Sequence, residues 1–193
     1  MCDFANYNNC APTQSGTTRY VYAIPAEEVI SFPQSKAILG PPASVVAGDT
    51  KRLGGPFQYV TTTKKGFWRK IKIVIMSGKV DQNMVGEGAT AGIESMFAFK
   101  LADDSAEARE LADQFIDCSK CDGFFFAVEN PESGDRDIIG TTAFPAVLKT
   151  LGMTSGEGVG KAARESTFVV SSLSGKAAMV YPKALALNTT PNP

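Results

Sequence analysis

The chain contains no histidine among its 193 residues. This absence removes the most common general base, the Ser-His and Cys-His nucleophile pairs, and the most common metal ligand. Carboxylate and lysine chemistry stay open, but paired acids such as Asp103 with Asp104 and Asp135 with Asp137 lie where turns are expected. We therefore expect a protein that is not an enzyme and that uses no cofactor.

Long apolar runs are also absent. No segment approaches the roughly 18 apolar residues of a membrane-spanning helix, and the N-terminus, MCDFANYNNCAPTQSGTTR, lacks the basic and apolar parts of a signal peptide. The formal net charge is only −1, so the whole molecule is not a generic nucleic-acid binder. The length of 193 residues predicts one domain, at most with arms. The missing segments predict a protein that is made and kept inside a cell, or assembled there, and that has no membrane partner.

Most apolar residues follow the period-two alternation of β-strands. In the segment 67–76, FWRKIKIVIM, alternate isoleucines share one face, while Lys70, Lys72 and Trp68 share the other. Seven to nine strands are predicted in total, and the other segments are 19–24, 57–63, 91–101, 123–128, 135–140, 144–151, 166–173 and 177–181. The glycine-rich segment 77–90 is predicted to be a long, mobile β-hairpin extension or loop.

One segment, at about 104–117, has the 3.6-residue period of an amphipathic helix. Asp104 followed by Glu107 resembles a capping box at its start. Its apolar stripe consists of Ala108, Leu111, Ala112, Phe115 and Ile116, and its solvent side of Glu110, Asp113 and Asp117. The pattern predicts a mainly β fold, a sandwich or barrel with this one flanking helix. The β-rich domain would span 19–183, between an N-terminal arm at 1–18 and a flexible tail at 184–193.

Two of the four cysteines, Cys118 and Cys121, have CxxC spacing at the C-terminal end of the helix. The helix dipole opposes a thiolate there, which argues against redox catalysis. A structural zinc site would need all four cysteines, Cys2, Cys10, Cys118 and Cys121. Free, partly buried thiols are the simplest interpretation. Disulfides that link arms between subunits are a further alternative.

Charge is segregated along the chain, because every charged residue between Asp49 and Asp81 is basic and the helix region is acidic. One interpretation is that these charged residues lie on solvent-exposed faces of a single monomer. The other is that the basic sheet of one subunit meets the acidic helix of another. A nucleic-acid groove would need interleaved aromatics beyond Trp68. The predicted subunit contacts are Lys70, Lys72, Val80, Met84, Val85, Glu110 and Asp113.

The order of elements resembles that of tailed-phage major tail tube proteins. The resemblance rests on a strand, a long glycine-rich loop, a strand, a capped helix, the hairpin FFFAVENPESGDRDIIG and a closing pair of strands. The pieces YVYAIPAEEVISFP and STFVVSSLSGKAAMVYP add to it, and it covers roughly residues 19–183. The cysteines are not expected from the family, and a basic strand suits a subunit contact better than a DNA-conducting lumen.

The resemblance implies hexameric rings that stack into a tube in the virion tail, assembled in the host cytoplasm. The partners would be other copies of the chain, other tail proteins, and double-stranded DNA that passes through the lumen without sequence-specific binding. The arm and the segment 77–90 would join neighbouring rings, and the helix would pack outside the sheet. The alternatives are another virion structural or decoration protein and a four-cysteine zinc-binding module.

Overall fold

The computed structural model describes residues 20–36, 49–60, 66–74, 77–88, 91–101, 105–130, 134–154, 165–174 and 177–187. Within these residues the chain is mainly β with a single α-helix, which confirms the predicted fold class. The strands are β1 Tyr20–Pro25, β2 Val29–Ser31, β3 Gln58–Tyr59, β4 Arg69–Lys72, β5 Lys79–Val85, β6 Gly92–Leu101, β7 Phe124–Glu129, β8 Arg136–Ile139, β9 Val147–Thr154, β10 Glu165–Ser174 and β11 Met179–Tyr181. A 3-10 helix, Ala26–Glu28, follows β1, and helix α1, Ala106–Lys120, precedes β7.

The strands form a five-stranded sheet (order β11-β8-β7-β1-β4), a four-stranded sheet (β5-β6-β10-β9) and a two-stranded sheet (β2-β3). The two larger sheets pack face to face through phenylalanine rings. The Phe126 ring of the five-stranded sheet lies 5.3 Å from Phe97 and 5.5 Å from Phe99 of the four-stranded sheet, measured between centroids. This layer, which Phe168 extends by stacking on Phe99, forms the main core of a β-sandwich.

The five-stranded sheet is buried on both faces. In β7, Phe124 and Phe126 face the main core, whereas Phe125 and Ala127 face a second cluster that contains Trp68. This double burial explains why the apolar run of β7 shows no alternation. The second cluster contains Tyr22, Ile24, Leu53, Phe57, Trp68, Phe125, Ala127, Ile138, Tyr181 and Leu185. At its rim, the Trp68 indole N–H donates to the Tyr59 hydroxyl at 3.0 Å, and burial raises the pKa of Tyr59 to about 12.

The N-cap of helix α1 lies one residue later than predicted, and the helix also ends later. Its N-cap is Ser105, whose hydroxyl accepts from the Ala108 N–H at 3.3 Å; Asp104 lies outside the described residues. The helix continues to Lys120 because Cys118, three residues after Phe115, extends the buried stripe. Ile116, assigned to that stripe, is only partly buried. The Gly123 N–H closes the helix end by donating to the Cys118 carbonyl at 2.8 Å.

The segment 77–90, predicted to be a β-hairpin extension or a loop, contains strand β5, whose antiparallel pairing with the next strand fits a hairpin and not a loop. Strand β5 pairs with β6 in an unbroken register from Lys79 opposite Ala98 to Val85 opposite Gly92. Large apolar residues are scarce in this segment because most of an edge strand lies in solvent, so their scarcity does not indicate a loop.

The C-terminal boundary also differs from the prediction. Leu185 is buried in the second cluster, and the Trp68 N–H donates to the Ala186 carbonyl at 2.8 Å. The packed part of the chain therefore extends past residue 183 to at least Leu187. The predicted N-terminal arm, 1–18, lies outside the described residues.

Candidate assembly surface

The four-stranded sheet has one buried face and one solvent-accessible face. In β6, Phe97, Phe99 and Leu101 point into the core, whereas Glu94 and Lys100 alternate with them on the outside. The outer face carries cross-strand ion pairs between Lys100 and Glu165 (2.7 Å) and between Lys149 and Glu94 (2.6 Å). On β5, Lys79 pairs with Asp81 at 3.0 Å. Each of these lysines is thus balanced by an acid.

The strands at the two edges of this sheet, β5 and β9, are long and mostly exposed. Neither contains proline, so each offers backbone groups that can pair with another chain. Helix α1 covers the start of the β9 edge. There the Leu148 N–H donates to the Ser119 hydroxyl at 2.8 Å, and that hydroxyl donates to the Phe115 carbonyl at 2.6 Å.

Exposed apolar side chains gather at one end of the same sheet. Val85 lies opposite Gly92, and Leu173 lies opposite Glu94 on the neighbouring strand. Because Gly92 has no side chain, Leu173 lies over it; a Cβ atom at Gly92 would be 3.5 Å from the Leu173 side chain. We call Met84, Val85, Phe144, Val147 and Leu173 the apolar end patch, with exposures of 38% to 77%. Single exposed apolar residues are normal, but a group at one end of a sheet indicates an interaction surface.

The predicted contact residues lie on three different elements. Lys70 and Lys72 are half-buried on β4, the edge strand of the five-stranded sheet, and the Lys70 ammonium lies 3.6 Å from the centre of the Tyr20 ring. Met84 and Val85 are exposed on β5, whereas Val80 packs against the main core. Glu110 and Asp113 are exposed on α1. Their role in contacts between copies stays a prediction.

The basic run of the sequence does not form one continuous surface. Arg69 is buried and donates to both carboxylate oxygens of Glu28, at 2.5 and 2.9 Å. The same carboxylate accepts from the Gly66 N–H at 2.6 Å. Sequence patterns missed this ion pair because its partners lie 41 positions apart. Arg69 is therefore a structural residue of the interior and is not available to a partner.

The two cysteines of the CxxC pair have different environments. Cys118 faces the main core and is fully buried, Cys121 is exposed, and neither forms a disulfide within the described part of the chain. Cys2 and Cys10, the other two cysteines that the alternative zinc site would need, lie outside the described residues. Within the described part of the chain, no three histidine, cysteine or acidic residues are grouped so that they could hold a metal ion. The four-cysteine zinc site stays the less favoured alternative to free thiols.

No protein-family model, curated protein or solved structure matches the chain. The likeness to tail tube proteins therefore rests on the order of elements and on the two segments YVYAIPAEEVISFP and STFVVSSLSGKAAMVYP. Among the described residues, no helix is both long and apolar enough to cross a membrane.

Proposed function

We propose that the chain is a self-assembling structural subunit of a phage-like tail tube, in which rings stack around a DNA-conducting lumen. The four-stranded sheet carries this proposal. One of its faces is buried, the other is accessible and balanced in charge, and β5 and β9 expose edge-strand backbone. Such a sheet can be extended sideways when one of its edge strands pairs with an edge strand of another copy of the chain.

In this arrangement, β5 of one copy lies beside β9 of the next. Such a contact uses two different surfaces of the same chain, and repetition of it closes a ring when the rotation allows. Closure converts the separate sheets into one barrel and removes the open edges. Because α1 covers the start of β9 at Leu148, the pairing would use the rest of that strand.

The outer face of the four-stranded sheet is then the wall of the lumen. Lys79, Lys100 and Lys149 on this face are each paired with an acid. DNA is held by lysines and arginines that neutralise its phosphates, so a balanced wall favours passage over retention. The basic strand β4 belongs to the other sheet and would not line this lumen. This placement removes the conflict between a basic strand and a DNA channel.

The apolar end patch would contact the neighbouring ring. It lies at one end of the sheet, near the strand termini, and it includes Met84, which is 77% exposed. Burial of such side chains between rings would contribute roughly 25 cal/mol per Å² of apolar surface. Ring stacking would therefore be driven mainly by hydrophobic burial and would tolerate high salt.

Negative-stain electron microscopy across concentration and salt tests the proposal, with two neighbouring proline variants as a matched pair. Gln82 and Asn83 are adjacent in β5, opposite Ser95 and Glu94. Since neighbouring N–H groups point to opposite sides of a strand, one proline interrupts pairing with β6 and the other only alters the free edge. The proline that interrupts pairing with β6 should lower the melting temperature. The variant that keeps the wild-type melting temperature changes only the free edge, and it therefore tests whether that edge pairs with another copy.

We expect the wild-type protein to form rings or tubes with a central channel, and the stably folded proline variant to form neither. Rings formed equally well by that variant would contradict pairing through β5. A wild-type protein that stays monomeric at every concentration and salt would contradict self-assembly. Binding of such monomers to a capsid lattice would instead favour a decoration protein.

A further inference from the structure

An open cavity of about 390 Å³ lies beside β11, away from the four-stranded sheet. Three cationic residues line it, Lys36, Arg52 and Lys183, together with Asp135 and the apolar side chains of Leu53 and Pro182. Its volume falls within the range of pockets that hold small molecules, roughly 300–1,000 Å³.

Main-chain hydrogen bonds hold the cationic residues in place. The Leu53 N–H donates to the Val180 carbonyl at 2.8 Å, and the Lys36 N–H donates to the Arg52 carbonyl at 2.7 Å. The Lys183 carbonyl accepts from the Arg136 guanidinium at 3.1 Å. The backbone of all three positions is thus attached to the edge of the five-stranded sheet, so a ligand does not need to order it.

The cavity is positive, although the whole chain carries a formal charge of −1. Three cations and one carboxylate, Asp135, line it. The Lys36 ammonium lies 3.3 Å from the buried carboxylate of Asp49, which offsets part of its charge. The exposed side chains of Arg52 and Lys183 therefore supply most of the attraction for an anion.

We propose that this cavity binds the phosphate group of a small molecule. A guanidinium matches two phosphate oxygens with parallel hydrogen bonds, and an ammonium adds a point charge. Leu53 and Pro182 offer an apolar surface to the body of the ligand, and Asp135 can accept a hydrogen bond from a ligand hydroxyl. The phosphate can come from a free phosphate ester or from a nucleic-acid backbone, and the probes below distinguish the two sources. The proposal does not depend on tube assembly.

Isothermal titration calorimetry at constant ionic strength tests this site with three probes: inorganic phosphate, a nucleoside monophosphate and a short DNA duplex. The test variant is R52Q/K183Q, which alters two exposed side chains and leaves the backbone bonds of the cavity unchanged. The matched control, K79Q/K149Q, removes the same charge from the four-stranded sheet. Thermal unfolding of both variants verifies that they fold.

We expect saturable binding of phosphate and of the nucleoside monophosphate, with one site per chain. R52Q/K183Q should weaken binding by at least about tenfold, and K79Q/K149Q should change it by less than about twofold. Absence of saturable binding of both small probes would overturn the proposal. An equal loss in the control would also overturn it, because the binding would then reflect overall charge. Binding of the duplex alone would assign the phosphate contact to a nucleic-acid surface and not to this cavity.

Discussion

The two large sheets differ in how many of their faces are buried. The five-stranded sheet packs Phe126 into the main core and Phe125 into the second cluster, whereas the four-stranded sheet buries Phe97 and leaves Lys100 on an accessible face. Hydrophobic stabilisation scales with the apolar area removed from water. The difference indicates that the five-stranded sheet supplies more of the stability of the monomer, and that the four-stranded sheet has surface left for association.

The ion pairs of the two sheets differ in the same way. The Glu28 and Arg69 side chains are 1% and 2% exposed, whereas those of Glu94 and Lys149 are 22% and 45% exposed. A buried ion pair costs much to break because the remaining charge is left without a partner in the interior. An exposed pair contributes little, because water and salt screen it.

The largest expected effect is that of breaking the buried pair. Arg69→Met should destabilise the protein by about 3–5 kcal/mol, because Glu28 loses its partner, and the matched Lys149→Met should cost at most about 1 kcal/mol. Urea unfolding at low protein concentration, monitored by tryptophan fluorescence, measures both. Equal costs for the two substitutions would contradict the contrast between the sheets.

A smaller effect is expected at the covered start of the β9 edge. Ser119→Ala removes the acceptor of the Leu148 N–H, and we expect a cost of about 1 kcal/mol. The newly free N–H should also extend the open edge, so association should begin at a lower protein concentration than in the wild type. Light scattering across a dilution series, paired with urea unfolding, measures the two changes. If Ser119→Ala lost stability but associated only at a higher protein concentration than the wild type, Ser119 would not be covering a free strand edge.

The smallest expected effect concerns Asp137, in β8 of the five-stranded sheet. Burial, and secondarily the charge of Asp135, raises the pKa of Asp137 above its ordinary value. The folded state therefore keeps this proton to higher pH than the unfolded chain, and ionisation destabilises the fold as pH rises through the raised pKa. Asp137→Asn should be more stable than the wild type at pH 7, and this difference should shrink toward about pH 4. Unfolding free energies at several pH values test this, and a difference that grows toward acid would refute it.

Several elements could be predicted because their signal is local. The alternation of Phe97 and Phe99 with polar residues predicts β6, and the buried stripe from Ala108 to Phe115 predicts α1. Both elements have one buried and one accessible side, so the burial period appears directly in the sequence. The same alternation correctly separates Ile71 and Ile73, in the main core, from Trp68, in the second cluster.

Strand β5 could not be recognised in the same way. Only Val80 of this strand packs against the core, so the sequence KVDQNMV has no clear alternation of buried residues. Its strand conformation comes from hydrogen bonds to β6. The conformation of such an edge strand depends on the strand beside it, and the hydrophobic pattern of its own residues does not reveal that partner.

The fold class and the approximate position of the helix follow from the sequence, because composition and short-range periodicity carry that information. Which charges are buried and which surfaces are accessible depends on tertiary packing. It brought Arg69 to Glu28 in the interior, gathered Arg52 and Lys183 around one cavity, and left Met84 and Leu173 exposed at the end of one sheet. These outcomes depend on strands that pair and sheets that pack across long sequence separations, and no local pattern specifies such contacts.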